Sequence, residues 1–406
     1  MTHRLVSSLP LTSGVRVNIV PMPRINAYRH RGLIAVIASM VIVNLVYGLT
    51  LPLLSLVLDA QGISKTVIGL SIVAQACAGV VIAPFASRLI QRMGAARAMQ
   101  AATVLAAAML IALGMVQNVY AWFPMRFMLG EAAAILWSAS EIVINELAGD
   151  NWRGRIIGVY GSAGAAGFAL GPLVLVITGT DGLLPFAVTA GLVALASVPL
   201  FWLRGKETEG SDDAAFGLMR VFRIVPHIML LNLTYAAAVE AFIAFFPLFG
   251  IHIGLGEARS LSLLTTFALG GVFLQMPLGW LADHMSRTTL LLACVLLTMV
   301  GFMAMPEMIG SPVAGPVFAF SLGGIEGMIY ALGVILLGQR FRGAELAAAS
   351  VLYTGMWGAG TMIGPLVVGA GMDLLGNESM PYLIAGIFAC YLPSYWYSRH
   401  RLSLVR

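Results

Sequence analysis

Residues 204–226, Arg204-Gly-Lys-Glu-Thr-Glu-Gly-Ser-Asp-Asp-Ala-Ala-Phe-Gly-Leu-Met-Arg-Val-Phe-Arg-Ile-Val-Pro226, form the one long polar interruption of a chain that is otherwise apolar. On either side the sequence runs in apolar stretches of about 20 residues, the length a helix needs to cross the hydrocarbon of a bilayer. Six precede the interruption, near 32–58, 66–90, 98–116, 121–147, 156–178 and 183–203. Six follow it, near 227–251, 260–282, 288–306, 313–338, 347–371 and 381–398. None shows the period-2 alternation of a barrel strand, so the stretches read as helices. The expected architecture is an all-α polytopic membrane protein with twelve transmembrane helices in two six-helix bundles. It has a tail at 1–30, bundles at 31–203 and 227–398, a linker at 204–226 and a second tail at 399–406.

Composition agrees. Of 406 residues, 59% are hydrophobic and 10% charged, against roughly 25% charged in a soluble domain. That excludes a soluble enzyme. The three cysteines, Cys77, Cys294 and Cys390, lie far apart in apolar runs and make no disulfide framework. A net charge of +5 is no basic stripe for nucleic acid. No phosphate-binding G-x-x-x-x-G-K-[ST] loop, H-E-x-x-H or G-x-S-x-G string is found. The six histidines are not spaced as metal ligands. Neither a nucleotide-driven pump nor an enzyme is expected, and no cofactor or metal. The first 30 residues hold Arg4, Arg16, Arg24 and Arg29 and no acid, and Pro10, Pro21 and Pro23 interrupt any signal-peptide core. They read as a cytoplasmic tail, with Met22 as an alternative start.

Cations orient the spans, because cytoplasmic loops hold the excess of Lys and Arg. With the N-terminus inside, 20 of the 23 fall in cytoplasmic segments, leaving Lys65, Arg126 and Arg259. Both termini are therefore expected in the cytoplasm, in a bacterial inner membrane.

The halves repeat. Asn44-Leu-Val-Tyr47 in the first span resembles Asn232-Leu-Thr-Tyr235 in the seventh. Ser87-Arg-Leu-Ile-Gln91-Arg92-Met-Gly94 after the second resembles Gly279-Trp-Leu-Ala-Asp283-His-Met-Ser286 after the eighth. Gly171-Pro172 matches Gly364-Pro365, and Tyr160 matches Tyr353, at a separation of 193 residues. Parallel six-helix repeats with a midplane site between them are a transporter plan.

On these residues the chain resembles the major facilitator superfamily. Gly279-Trp-Leu-Ala-Asp283-His-Met-Ser-Arg287 is similar to that family's loop signature, Arg126-Phe-Met-Leu-Gly130 to its fourth-helix motif, and Gly167-Phe-Ala-Leu-Gly171-Pro172 to its fifth-helix glycine–proline motif. The resemblance covers residues 31–398. Glu141, Asn145, Arg153-Gly-Arg155 and Tyr160 resemble the YcaD-type branch. The resemblance implies gating by Gly279, Asp283, Arg287, Arg92 and Gly94, and helix packing by Gly167, Gly171, Pro172, Gly364 and Pro365. In the first half Gln91 and Ser87 replace the motif's Asp and leading Gly, which puts gating there in doubt.

Charges inside spans are costly, so they face a cavity or a partner. On the fourth span Trp137 lies about 20° around the helix from Arg126, Glu141 about 60°, Asn145 about 100° and Glu131 about 140°. Glu131 reads either as a structural partner of Arg126 or as a proton site. Glu326, among glycines early in the tenth span, is the first candidate for proton coupling, followed by Glu240, Glu141 and Glu131. A carboxyl group in apolar surroundings is costly to ionise, which suits a proton carrier. The other cavity candidates are Asn44, Tyr47, Gln75, Asn232, Tyr235, Gln275, Tyr330, Tyr353 and Trp357. The acidic, aromatic lining leans towards cationic, amphipathic or neutral solutes, and no arginine cluster suits a strong anion. The expected function is a secondary transporter of a small solute by alternating access, proton-coupled, with efflux by antiport favoured, acting as a monomer. A facilitative uniporter and a receptor on a transporter scaffold are the alternatives.

Overall fold

A computed structural model describes residues 27–147, 153–203 and 218–404. The expectations for residues 1–26, for 204–217 of the linker and for Arg406 lie outside the described residues. Fourteen α-helices and no strand are found among those described. The first half holds α1 (Ala27–Ala60), α2 (Lys65–Met93), α3 (Ala95–Met115), α4 (Val119–Leu147), α5 (Arg153–Thr178) and α6 (Leu184–Ser197), the last extended by a 3-10 turn at Pro199–Trp202. The second half holds α7 (Leu218–Ile224), α8 (Pro226–His252), α9 (Glu257–Phe273), α10 (Gln275–His284), α11 (Arg287–Met308), α12 (Ala314–Arg340), α13 (Gly343–Leu375) and α14 (Met380–Leu404).

Eleven stretches are long and apolar enough to cross a membrane, with α9 and α10 counted as one, Glu257–His284. The twelfth expected span, α14, is less apolar. It carries Ser394, Ser398, Arg399 and His400, but packs on α8 and α11 as α6 packs on α1 and α3.

The eighth stretch stands as one span, Glu257–His284, with a one-residue break at Leu274 between α9 and α10. Pro277 explains the break, since it has no N–H for the Phe273 carbonyl and its ring crowds that turn. The linker is not polar throughout. Its end forms α7, whose Val221, with Val225 beyond it, is buried against Leu337, Phe341 and Ala349 of the second half.

Each half repeats one packing scheme. α1 lies on α5 and α2 on α4; α8 lies on α13 and α9 on α12. Small residues let backbones approach where no hydrophobic force drives helices together. A side chain at Gly167 would strike the Val41 carbonyl, and one at Gly360 the Leu233 carbonyl. Gly171 and Gly364 stand in the same way against Leu45 and Ala237, and Gly130 and Gly323 against Gln75 and Phe267. These pairs fix the internal register. Carried along it, Trp137 corresponds to Tyr330, Ala133 to Glu326, and Gly48 to Glu240. The Asn44/Asn232 and Tyr47/Tyr235 correspondence read from the sequence is therefore one helical turn out.

The halves meet through α2 on α13, α5 on α9 and α1 on α8. Gly69 abuts the Pro365 carbonyl, and Gly369 abuts the Lys65 carbonyl. Close by, Asp373 at the end of α13 accepts hydrogen bonds from the backbone N–H of Lys65 (2.9 Å) and Thr66 (2.8 Å) and from the Thr66 hydroxyl (2.6 Å). This carboxylate satisfies N–H groups that the first turn of α2 leaves free, and it sits at the positive end of the helix dipole. The halves are thus closed at the end bearing the α1–α2 turn. Towards the other end, Glu141, Val159, Val334 and Val351 are exposed. There Glu141 of the first half acts electrostatically on Tyr330 of the second across the gap.

Candidate functional site

The centre of the molecule is polar on one seam. Tyr47, near the middle of α1, donates a 3.0 Å hydrogen bond to Glu240 Oε1, near the middle of α8. The bond joins the two halves. Glu240 is only 4% exposed. Behind Tyr47, Arg126 of α4 is wholly buried and donates to Ser71 Oγ (2.7 Å) and Gln75 Oε1 (3.3 Å) of α2. Its second terminal nitrogen, Nη2, has no hydrogen-bond partner among the described residues. Arg126, Tyr47 and Glu240 act on one another electrostatically. The expected structural pairing of Arg126 with Glu131 is not found: Glu131 is half-buried and forms no ion pair with it among the described residues. Five residues separate the two, which turns them to different sides of α4.

A narrow cavity lies beside this group, lined by Tyr47, Thr50, Gln75, Ala133 and Trp137 together with apolar residues of α1, α3, α4 and α6. Trp137 meets Tyr47 edge-on at 5.2 Å between ring centroids, and Phe168 lies at 6.1 Å from Tyr47.

The second half carries an aromatic wall. Tyr330 of α12 lies 5.8 Å from Tyr235, 5.7 Å from Tyr353 and 5.5 Å from Trp357. Tyr235 and Trp357 lie 5.6 Å apart. One turn before Tyr330 on the same face stands Glu326. It is twelve residues into α12 rather than at its start, 2% exposed, and its Oε1 has no partner among the described residues. Glu326 acts electrostatically on Tyr235.

The amide candidates are mostly committed to backbone. Asn44 donates to Met40 (2.8 Å) and Asn145 to Glu141 (2.8 Å), each on its own helix. Asn232 donates to the Tyr353 carbonyl (2.6 Å) and is buried between α8 and α13. Gln75 is the amide that reaches a charged partner. Gln275 stands exposed at the α9–α10 break. Ser71, Thr66 and Asp373 were not singled out in the sequence. The signal for Asp373 would have been an acid just past an apolar span, which by itself names no partner.

The family model of the Major Facilitator Superfamily matches residues 36–264 and 228–403. The chain belongs to the major facilitator superfamily. Among similar proteins, the MFS-type transporter YfkF of Bacillus subtilis is 23% identical over 83% of this chain and 88% of its own length. The MFS-type transporter YcaD of Salmonella enteritidis is 22% identical over 76% and 80%. The fold is shared with the nucleoside transporter NupG (TM-score 0.76, 13% identity, 92% of this chain and 99% of that one). It is shared too with a bacterial homologue of the lysosomal transporter Spinster in an inward-facing, unoccupied conformation (0.74, 14%, 93% and 98%). The D-xylose–proton symporter has the same fold (0.70, 15%, 91% and 98%).

Within this major facilitator chain the loop signature is disengaged. Asp283 is 70% exposed, and it meets Arg287 of the following helix at 3.3 Å. A Cβ at Gly279 would meet open space in this conformation. Arg92 is exposed. Gly94 joins α2 to α3 at φ +81°, a backbone conformation that favours glycine. In the glycine–proline motifs Gly167 and Gly171 seat α5 on α1, Gly364 seats α13 on α8, and Pro172 and Pro365 lie within those helices.

Proposed function

We propose that this transporter-family chain is a proton-coupled secondary transporter that works by rocking its halves about the Tyr47–Glu240 seam. The exposed basic residues Arg88, Arg92 and Arg97 lie at the open end, which supports a cytoplasm-facing opening under the positive-inside tendency. The observation that carries the reading is the buried carboxyl group of Glu240, held across the seam by Tyr47 and facing the field of Arg126. An acid at this place feels any change in how the halves meet. When the far end opens, the Tyr47 bond stretches or breaks, and the balance between Glu240 and Arg126 shifts. A proton taken up on one side is then released on the other. Glu240 becomes the first coupling candidate, ahead of Glu326, which lies inside one half. Efflux in exchange for protons remains the favoured direction.

The test is flux in proteoliposomes under an imposed pH gradient, screened over organic cations, amino acids, sugars and nucleosides. Wild type should accumulate at least one class. Glu240→Gln preserves the shape and the Tyr47 contact but cannot titrate, so it should exchange that solute without accumulating it. Gradient-driven accumulation by Glu240→Gln at the wild-type level would overturn the assignment.

A further inference from the structure

The balance of charge at the centre points to a ligand class. Arg126 and Glu240 lie within each other's field, and between them one positive and one negative group compensate. Glu326 has no such counterpart: no basic side chain lies within ion-pair distance of it among the described residues, and one carboxylate oxygen is unpartnered. Ionising a buried carboxyl group that has no partner is costly, and a cation brought to it offsets that cost. The repeat shows where that carboxylate stands. Its counterpart in the first half is Ala133, which lines the narrow cavity one turn before Trp137, and the counterpart of Trp137 is Tyr330. Glu326 thus stands at the place equivalent to a cavity-lining residue of the first half, one turn before Tyr330, whose ring packs on Trp357.

Both rings are accessible from the gap. Tyr330 is 38% exposed and Trp357 is partly exposed. Glu141, on α4 of the first half, is a second acidic side chain exposed towards the open end. Aromatic faces attract ammonium groups within about 6 Å of the ring centroid, Trp most strongly. An unpartnered acid behind an aromatic wall is what a positively charged nitrogen with an apolar body requires. We propose that Glu326, Tyr330 and Trp357 form a binding site for a monovalent organic ammonium ion, a class that deepens the transporter reading above and rests on it.

The experiment is equilibrium binding to the full-length protein in detergent, by calorimetric titration, with benzyltrimethylammonium, benzyl alcohol and benzoate as probes. The ammonium probe should bind at least about tenfold more tightly than either of the others. Glu326→Gln should abolish that preference while leaving benzyl alcohol unchanged, and Trp357→Leu should weaken the ammonium probe about tenfold, with Trp357→Phe restoring most of it. If Glu326→Gln does not fold, Tyr330→Leu, at a half-exposed position, should lower the preference in the same direction. Binding of benzoate or benzyl alcohol as tight as that of the ammonium, no saturable ammonium binding, or wild-type preference in Tyr330→Leu and Trp357→Leu would each overturn the proposal. The readout needs no gradient. Preferred ammonium binding without proton-driven flux would sink the coupling reading and leave the site standing.

Discussion

The two halves share a skeleton and differ in chemistry. Gly130 against Gln75 and Gly323 against Phe267 are the same close helix crossing made twice. At the same crossing, the first half has Arg126 held by Ser71 and Gln75, where the corresponding residues of the second half are Ala319, Leu263 and Phe267. The exchange runs the other way for acids. Gly48, packed on the Phe168 carbonyl, corresponds to Glu240, and Ala133 to Glu326. At three crossings, 130/323, 167/360 and 171/364, glycine is kept in both halves and a Cβ would strike a neighbouring backbone in each. Charge is placed where the repeat is broken, so the positive group falls in one half and the two buried acids in the other. In a pseudo-symmetric protein, comparing equivalent positions therefore separates residues that hold the bundle from residues that act.

The sharpest way to break this comparison is to mutate the shared crossing in both halves. Gly130→Val and Gly323→Val each drive a branched side chain into a carbonyl, at more than the about 1–3 kcal/mol of ordinary overpacking. Size-exclusion chromatography and thermal unfolding in detergent should show little folded protein in either. Tolerance in one half alone would refute the equivalence. A smaller effect is expected at Arg126→Lys, which keeps the charge but loses the planar fork that serves Ser71 and Gln75 together. Flux should fall about tenfold with the fold intact, while Ala319→Ser at the corresponding place should leave flux near wild type.

Smaller again is Asp373→Ala. Hydrogen bonds to a charged group contribute about 1.5–3 kcal/mol each, and removing them should favour opening of the closed end. A cysteine at Leu366, on the seam with Gly69, should then react severalfold faster with a membrane-impermeant maleimide. Unchanged labelling would mean that the glycine seam alone closes this end. The smallest effect is predicted for Asp283→Asn. Asp283 touches only Arg287 among the ion pairs described, so ligand affinity should be unchanged, while flux falls about twofold because only the balance between conformers moves. A larger fall in affinity than in flux would give Asp283 a part in binding.

Most of the fold was legible because spanning length and apolar composition are properties of single segments. The break at Leu274 was not, because Pro277 lies in an otherwise apolar run and its effect is on a hydrogen bond rather than on hydropathy. The repeat was visible, but its register slipped by one turn: Asn-Leu-x-Tyr recurs by identity, whereas the packing register is set by which carbonyl each glycine meets. Arg126, Glu240 and Glu326 were legible as charges too costly to leave in lipid. Their partners were not. Tyr47 and Glu240 meet across 193 residues, and no local pattern joins α1 to α8. Glu326 reads as early in its span because no cap or charge in the sequence marks the start of α12, twelve residues before it. Gln75 gained its meaning from Arg126, through a contact between neighbouring helices.

Two of the three donors that Asp373 engages are backbone N–H groups of α2. Such donors belong to the helix rather than to any side chain, so substitution at Lys65 or Thr66 leaves them in place unless proline enters. The acceptor has no such protection. Over evolutionary time the start of α2 is therefore free to drift, while an acid at the end of α13 is constrained. Aligned relatives that share this closure should show a variable residue at 65, a nearly free one at 66, and Asp or Glu at 373.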